Sequence, residues 1–315
     1  MKKIVWALIL IVLIWGSLFA GASPISLKQL VNGNSQQQLI FLTTRIPRTI
    51  SLIIAGATLS ICGLIMQHLT QNKFVSPGSA GTTDSARLGI VIVMLFFPNA
   101  PLLFRSFIAF LFAFMGTILF IYLINFLAAK NKLMIPLIGV MFGNIFGSIA
   151  TFFAYQFNLI QNMTSWLQGN FSTVMKGNYE LIYLTLPLLL ITYLLAYQFT
   201  IVGMGEDITK NLGLNYQFIQ LIGLAIVALA NTLILIMVGN IPFLGIIIPN
   251  LISIHYRDYI KNTLLLTATT GSAFLLICDI IARSIIAPYE VPVSVVVGIL
   301  GSLIFLSLLL RKEPL

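Results

Sequence analysis

The chain has 315 residues, of which 59% are hydrophobic and only 8% are charged, and its mean hydropathy is +1.03. Soluble domains carry about 25% charged residues, so this composition excludes a soluble globular enzyme. At about 20 apolar residues for each membrane-spanning helix, the length accommodates roughly ten helices and leaves almost nothing for an aqueous domain. We therefore expect one all-α, polytopic membrane domain over residues 1–315.

The formal net charge of +9 would suggest nucleic-acid binding in a soluble protein. In a membrane protein the same excess of Lys and Arg marks the cytoplasmic face, and we expect no nucleic-acid partner. Cys62 and Cys278 both lie in apolar runs, so neither a disulfide framework nor a cysteine-rich metal site is expected.

The first apolar run, residues 4–20, follows Lys2 and Lys3 and predicts an uncleaved helix with a cytoplasmic N-terminus. The polar stretch 21–44 predicts an outer loop. The second, third and fourth helices are predicted at 46–68, 81–97 and 102–128, the fifth begins at 133, and the sixth is predicted at 179–199. The run 211–256 is too long for one span and is broken at 239–242, which gives the seventh and eighth helices. The ninth and tenth helices are predicted at 263–285 and 292–310. Polar residues after position 155 predict an outer re-entrant or interfacial segment between the fifth and sixth helices, and the C-terminus falls on the cytoplasmic side.

Most basic residues fall on the predicted cytoplasmic side, as the positive-inside rule requires. They are Lys2, Lys3, Lys73, Lys130, Lys132, Lys210, Arg257, Lys261, Arg311 and Lys312. The basic residues on the outer side or near it are Lys28, Arg45, Arg48, Arg105, Lys176 and Arg283. Because an outer arginine opposes the orientation signal, the arginines that flank Pro47 and the one at the outer end of the ninth helix, Arg283, need another reason to be there.

Two classes of chemistry have no motif in this sequence. There is no Gly-x-x-x-x-Gly-Lys-Ser/Thr loop, so the chain lacks the usual means of holding ATP phosphates. His68 and His255 lie near predicted helix ends without a carboxylate cluster at ligand spacing. We predict no catalytic residue and no metal site.

Polar side chains recur at helical spacing along the fifth predicted helix, at Asn144, Ser148, Thr151 and Tyr155. Beside them lies a strip of small residues, at Gly139, Gly143 and Gly147. Such a strip lets a neighbouring backbone approach closely, and a polar stripe in an uncharged span faces protein or water rather than lipid. The polar stripe can therefore line a translocation path or serve only for hydrogen bonding between helices, and the sequence leaves both interpretations open.

Charged residues at depth cost about 2.5–3.5 kcal/mol each on insertion scales, so partners are expected. Asp84 and Arg87 are spaced i, i+3, and Asp279 and Arg283 are spaced i, i+4. Local ion pairing is the simplest interpretation of both pairs. It does not account for the two arginines that open the second helix, which have no acid nearby in sequence.

Several motifs in order along the chain resemble the FecCD family, the permeases of bacterial ABC importers for ferric siderophores, haem and cobalamin. They include the Arg-Ile-Pro-Arg run at 45–48 and the stretches at 63–67, 72–77, 205–214, 239–249 and 278–292. Within the family, the runs at 72–77, 84–87 and 166–169 look most similar to permeases for catecholate siderophores such as petrobactin.

The resemblance implies a type II ABC importer permease in the bacterial cytoplasmic membrane, with ten helices and both termini inside. Its expected partners are a second permease chain, two ATPase subunits that bind ATP and Mg²⁺, an extracytoplasmic siderophore-binding protein and membrane lipid. This subgroup favours a heterodimer of permeases over a homodimer. No cofactor is expected on this chain, because the iron arrives wrapped in its chelator.

The resemblance also assigns roles by position. The arginines expected to dock acidic residues of the binding protein are Arg45, Arg48 and Arg283. The expected cytoplasmic gate includes Asn72 and Phe74, and the path is expected to include Asn144, Ser148 and Thr151. The expected ATPase-coupling segment includes Gly205, Glu206, Leu212 and Gly213.

Some positions depart from the family pattern. Lys73 stands where proline is frequent, and Asn250 and Ser253 stand where histidine and arginine are frequent. The loop after the fourth helix holds Lys130 and Lys132 in place of small hydroxyl residues. These differences affect the detail of the gate.

Three alternatives stay open. The cargo of the same family can be haem or cobalamin instead of a siderophore. An ion-coupled secondary transporter would need a buried coupling acid, for which only Asp84 and Asp279 are available. A membrane-embedded enzyme would need paired catalytic carboxylates or a histidine-metal motif, and the sequence shows neither.

Overall fold

A computed structural model of the chain describes residues 2–21, 35–127, 134–256, 259–286 and 289–310. Within those ranges the chain is helical, and β-type pairing is limited to two isolated bridges. The helices are α1 (Lys2–Phe19), α2 (Ser35–Ile40), α3 (Ile46–Leu69), α4 (Thr82–Phe96), α5 (Leu102–Phe126), α6 (Met134–Gln156), α7 (Ile160–Leu167), α8 (Thr185–Leu194), α9 (Ala196–Val202), α10 (Glu206–Asn211), α11 (Tyr216–Val238), α12 (Leu244–Tyr256), α13 (Ile260–Ser284) and α14 (Val293–Leu309). The predicted all-α fold is confirmed.

Several of these helices are long and apolar enough to cross a membrane. Among the described residues the five continuous ones are Gln36–Leu69, Leu102–Phe126, Met134–Gln156, Tyr216–Val238 and Ile260–Ser284. A sixth span is possible if Glu180–Leu194 and Ala196–Val202, which bend by 64° at Leu195, act as one. The predictions for Lys130, Lys132, Arg257, Arg311 and Lys312 lie outside the described residues.

The structure corrects the boundary of the second predicted helix. Residues 35–44 of the predicted outer loop, together with Arg45, form α2 and a π-helical turn (Phe41–Arg45) that runs directly into α3. The hydroxyls of Thr43 and Thr44 donate to the carbonyls of Leu39 and Ile40, each at 2.7 Å. The polar side chains therefore bond back to their own helix instead of ending it.

Helix α3 is the centre of the bundle. Within its apolar window, 83% of the residues are buried inside the protein, so it meets other helices on nearly every side. A methyl group at Gly56 would lie 2.6 Å from the carbonyl oxygen of Gly271 on α13, and one at Gly63 would overlap the carbonyl of Gly245 on α12. The glycines thus allow close backbone contact with both neighbours.

The break between α11 and α12 is fastened to the end of α7. Gly239 has φ = +82°, and a Cβ atom there would lie 2.5 Å from the carbonyl oxygen of Gln168. The amide of Asn240 donates to the Leu167 carbonyl, and the amide of Asn170 donates to the Val238 carbonyl, each at 2.9 Å. The short segment predicted after the fifth helix is therefore bonded into the bundle.

Candidate functional site

A buried cluster of four charged side chains joins α3, α13 and the segment before α14. Arg48 donates to Asp279 Oδ1 from Nε at 3.1 Å and from Nη2 at 2.7 Å, and its Nη1 donates to Glu290 Oε2 at 2.7 Å. Arg283 pairs with the other oxygen of Asp279. The Asp279 side chain is fully buried, whereas the Glu290 side chain is 25% exposed. The local pair predicted between Asp279 and Arg283 is confirmed.

Arg283 also fastens the end of α1. Its Nη1 donates to the carbonyl of Ala20 at 2.7 Å, and its Nη2 donates to the Ser17 hydroxyl at 3.0 Å. The Ser17 hydroxyl is in turn 3.1 Å from the hydroxyl of Thr49 on α3. With its side chain only 1% exposed, Arg283 is enclosed by these partners.

The other two predicted docking arginines, Arg45 and Arg48, line a cavity together with Glu290. The cavity has a volume of about 230 Å³, and its remaining wall is formed by Ile40, Thr44, Phe171, Ser172 and Val174. The guanidinium of Arg45 lies directly against Gly21, where a Cβ atom would overlap it. The structure therefore brings Arg45 and Arg48 to one cavity and places Arg283 within the packed interior behind it.

The polar stripe of α6 lines an open groove. The groove has a volume of about 470 Å³, and its polar lining consists of Asp84, Arg87, Asn144, Ser148, Thr151 and Tyr155. The three predicted path residues are thus on one surface. The sequence did not predict that Asp84 and Arg87 line the same groove. Their charges within an apolar helix could have indicated it.

The predicted local ion pair between Asp84 and Arg87 is wrong. In the part of the chain that the structure describes, no ion pair within 4.0 Å joins their charged atoms. Arg87 instead reaches across to other helices, where its Nη2 donates to Thr151 Oγ1 at 3.1 Å and its Nε donates to Met163 Sδ at 3.4 Å. The arginine therefore links α4 to the polar stripe and to α7.

The predicted gate lies in the loop between α3 and α4. Asn72 Oδ1 accepts from the amide of Phe74 at 2.9 Å, which closes a tight turn. Asn250 Nδ2 on α12 donates to the carbonyl of Lys73 at 2.8 Å. The Phe74 ring meets Phe305 of α14 edge to face, with centroids 6.3 Å apart. Asn250, one of the departures from the family pattern, is therefore part of the support of this loop.

A cavity of about 540 Å³ lies beside the gate loop. Its wall includes Asn72, Lys73, Phe74, His68, Met204 and Tyr259. A Cβ atom at Gly203 would overlap the His68 ring, so the chain that leads into α10 packs directly on the last turn of α3. The predicted gate and the predicted coupling segment are neighbours in the fold.

The predicted coupling segment forms a compact helical turn. Gly205, with φ = +115°, precedes α10, and Gly213, with φ = +76°, follows it. The buried Thr209 hydroxyl donates to the Gly205 carbonyl at 2.7 Å and anchors the turn. The Leu212 side chain on this turn is 57% exposed.

The surface of this turn also carries an ion pair. Glu206 Oε1 lies 2.7 Å from Lys210 Nζ at i, i+4 spacing, and both side chains are exposed. The hydrogen bond and the charge of the Glu206 carboxylate raise the pKa of Lys210. Exposed ion pairs of this kind contribute little to stability. The Glu206–Lys210 pair therefore orients two surface side chains of the turn, and it does not stabilise the turn itself.

Comparison with models of known families identifies the chain. Residues 9–311 match the FecCD transport family. The chain belongs to this family. The match covers nearly the whole sequence, so every site described above falls within the FecCD domain.

Curated FecCD relatives match over almost their full length. The petrobactin import system permease protein YclN of Bacillus subtilis (strain 168) is 48% identical over 306 residues, which cover 97% of each chain. The ferric-anguibactin transport system permease protein FatD of Vibrio anguillarum is 41% identical and is covered to 94% in both chains.

One solved structure shares the FecCD fold of this chain. It is described as an inward-facing, metal-chelate type ABC transporter, and it superimposes with a TM-score of 0.80 over 97% of both chains at 23% identity. At this level of identity the likeness shows a shared fold and nothing beyond it.

The charged cluster of this FecCD chain predicts a large loss of stability when its centre is removed. Changing Asp279→Asn leaves two buried arginines without their shared carboxylate, and breaking such pairs costs about 3–5 kcal/mol. We expect a clearly lower midpoint in thermal unfolding of the detergent-solubilised protein, followed by tryptophan fluorescence. Glu290→Gln is the matched control, with a smaller effect because Glu290 is partly exposed. Equal midpoints for Asp279→Asn and the unaltered protein would contradict the prediction.

Proposed function

We propose that this chain is the permease subunit of an ABC importer that moves a ferric siderophore of the catecholate type, such as ferric petrobactin, across the bacterial cytoplasmic membrane. The observation that carries the proposal is the near full-length similarity to two permeases whose names assign them to petrobactin and ferric-anguibactin import. Haem and cobalamin are the alternative cargoes within the family.

The proposal includes a topology of ten spans with both termini in the cytoplasm. The spans are α1, α3 with the helical segment before it, α4, α5, α6, the bent pair of α8 and α9, α11, α12, α13 and α14. It is supported by the correspondence between these helices and the ten apolar stretches of the sequence. In this topology the end of α3 that carries Arg48 is the outer end. The other end, which leads into the loop with Asn72, is the cytoplasmic end.

In this arrangement the chain supplies half of a path, and a second permease supplies the other half. Asn144, Ser148 and Thr151 provide hydroxyl and amide groups along the groove, which offer weak hydrogen bonds to a passing polar cargo. Weak contacts suit a path because the cargo must be released. The turn held by Asn72 and Phe74 closes the cytoplasmic end.

ATP and Mg²⁺ would bind on two separate ATPase subunits. The compact turn around α10 presents Leu212 as an apolar anchor, and its closing hydrogen bonds let it move as one body. Because this segment packs on the last turn of α3 at Gly203, a displacement imposed by an ATPase would reach the gate loop directly.

Docking of an extracytoplasmic binding protein is proposed for the cavity that Arg45 and Arg48 line. Arg48 already holds Asp279 and Glu290, and Arg283 is enclosed behind it. Because Arg45 and Arg48 both line this cavity, we assign both to contact with the acidic partner, and we assign Arg283 to positioning the arginines of this end.

The transport proposal is tested by uptake into proteoliposomes that contain this chain, its ATPase, its binding protein and a second permease. We expect ATP-dependent accumulation of ⁵⁵Fe supplied as a ferric catecholate chelate while all ion gradients are collapsed. Uptake that stops when the gradients collapse would instead support an ion-coupled transporter. Full uptake without the second permease would contradict the heterodimer.

The docking proposal predicts that Arg45→Glu weakens binding of the binding protein, and more so at low salt, because charge attraction across an exposed interface is screened by salt. Surface plasmon resonance on the purified complex measures the dissociation constant at two salt concentrations. Lys261→Glu makes the same charge change at the start of α13, about 33 Å along that helix from Arg283, and should leave binding unchanged. An unchanged constant in Arg45→Glu at low salt would remove this role.

The coupling proposal predicts that Leu212→Ala lowers ATPase activity stimulated by the binding protein, by roughly tenfold, because a leucine anchor at an interface contributes over 1 kcal/mol. Leu119→Ala truncates a leucine of similar exposure on α5 instead of on the turn and should keep normal activity. Normal stimulation in Leu212→Ala, with the complex still assembled, would count against the contact.

A further inference from the structure

The two charges in the groove lie within the depth of the helix bundle and not at its ends. Helix α4 has only 15 residues, and its start lies against the middle of α6. A methyl group at Gly143, the tenth of 23 residues in α6, would lie 3.2 Å from the Cα atom of Gly81. Since α6 is roughly 34 Å long, Asp84 lies near the centre of a layer about 30 Å thick. The Arg87 guanidinium, which is bonded to Thr151, lies about 9 Å further along α6. Ionisable residues at this depth are costly and mark functional positions.

The two charged groups converge on Gly147 without forming a close ion pair, since a methyl group there would lie 3.5 Å from Asp84 Oδ1 and 3.9 Å from Arg87 Nη1. The Asp84 carboxylate rests on the bare backbone of α6, where a methyl group at Gly143 would lie 2.7 Å from Oδ2 and one at Gly147 would lie 3.5 Å from Oδ1. Arg87 extends to Thr151 and to the sulfur of Met163, which are both neutral. In the described residues, the guanidinium charge is therefore not cancelled by direct ion pairing.

We propose that Arg87 is the specificity-determining residue of the groove and contacts the anionic oxygen atoms of the iron chelate during passage. This inference rests on the proposed function. A catecholate group brings two negative charges to Fe³⁺ and a hydroxamate brings one, so a fully coordinated catecholate complex is an anion and a fully coordinated hydroxamate complex is neutral. The planar guanidinium suits paired anionic oxygens.

Asp84 gives the groove a second property. Its negative charge is one helical turn from Arg87 and lines the same groove, so it opposes the attraction of an anion without removing it. A contact weakened in this way lets the chelate leave, whereas an unopposed arginine would retain it. The glycine strip has a defined role in this arrangement, because a larger residue at Gly143 would displace the carboxylate.

The test uses the complete importer in proteoliposomes with a ferric catecholate chelate as the probe. We expect Arg87→Gln to lower the uptake rate about tenfold and Arg87→Lys, which keeps the charge, to stay within about threefold of the unaltered protein. Arg105→Gln makes the same change outside the groove, where the arginine caps the carbonyls of Ala100 and Pro98, and should transport normally. ATPase stimulation by the binding protein should be unchanged in all three.

Other outcomes overturn the inference in distinguishable ways. Normal uptake by Arg87→Gln would remove the role of Arg87 and leave the transport proposal intact. Loss of assembly in Arg87→Gln would show that the arginine pairs with the second permease instead of the cargo. Asp84→Asn should lower uptake while more chelate stays bound to the importer, and an equal loss of uptake without retained chelate would show that the two residues act as a structural pair. If the unaltered importer moves no ferric chelate, the proposed function fails, and this inference fails with it.

Discussion

One buried carboxylate organises the end of the protein that we assign to the outer side. Asp279 has no exposed surface, and a charge in such a place is tolerated only when opposite charges and hydrogen bonds surround it. Arg48 and Arg283 meet this need from α3 and from α13 itself. Because both arginines have further partners, the same carboxylate indirectly sets the end of α1 and the segment that leads into α14. The cavity lined by Arg45 and Arg48 depends on this arrangement.

The opposite end is organised by shape rather than charge. Helix α3 runs through the middle of the bundle, and glycines on its surface admit the backbones of α12 and α13 to close contact. The loop after α3 then turns back into the protein, and a side chain of α12 holds it through the carbonyl of Lys73. The coupling turn packs against this same end of α3 at Gly203. Gate, coupling turn and central helix therefore form one continuous set of contacts.

Much of this fold was predictable from local patterns. Apolar runs of about 20 residues predicted most helices, and the turn at Pro98 and the break at Gly239 both appear where backbone preferences place them. The helical structure of residues 35–45 was not predicted because a polar run is typical of a loop. In the fold, threonine hydroxyls of this run donate hydrogen bonds to carbonyl groups of the same helical segment. Spacing also predicted that Asn144, Ser148 and Thr151 share a face, since side chains three or four residues apart do so on any helix.

The sequence by itself determined the class of the protein, the order and approximate bounds of its helices, and the residues whose charge or polarity is unusual for a membrane span. These properties follow from composition and from helical period, which act between near neighbours in the chain. Only the tertiary structure decided which residues far apart in the chain become partners. Arg48 meets a carboxylate 231 positions away, and Arg87 forms its hydrogen bond with Thr151 on another helix and no direct ion pair with Asp84, one turn before it. Such choices depend on how close the packed helices bring their side chains, and local spacing carries no information about that distance.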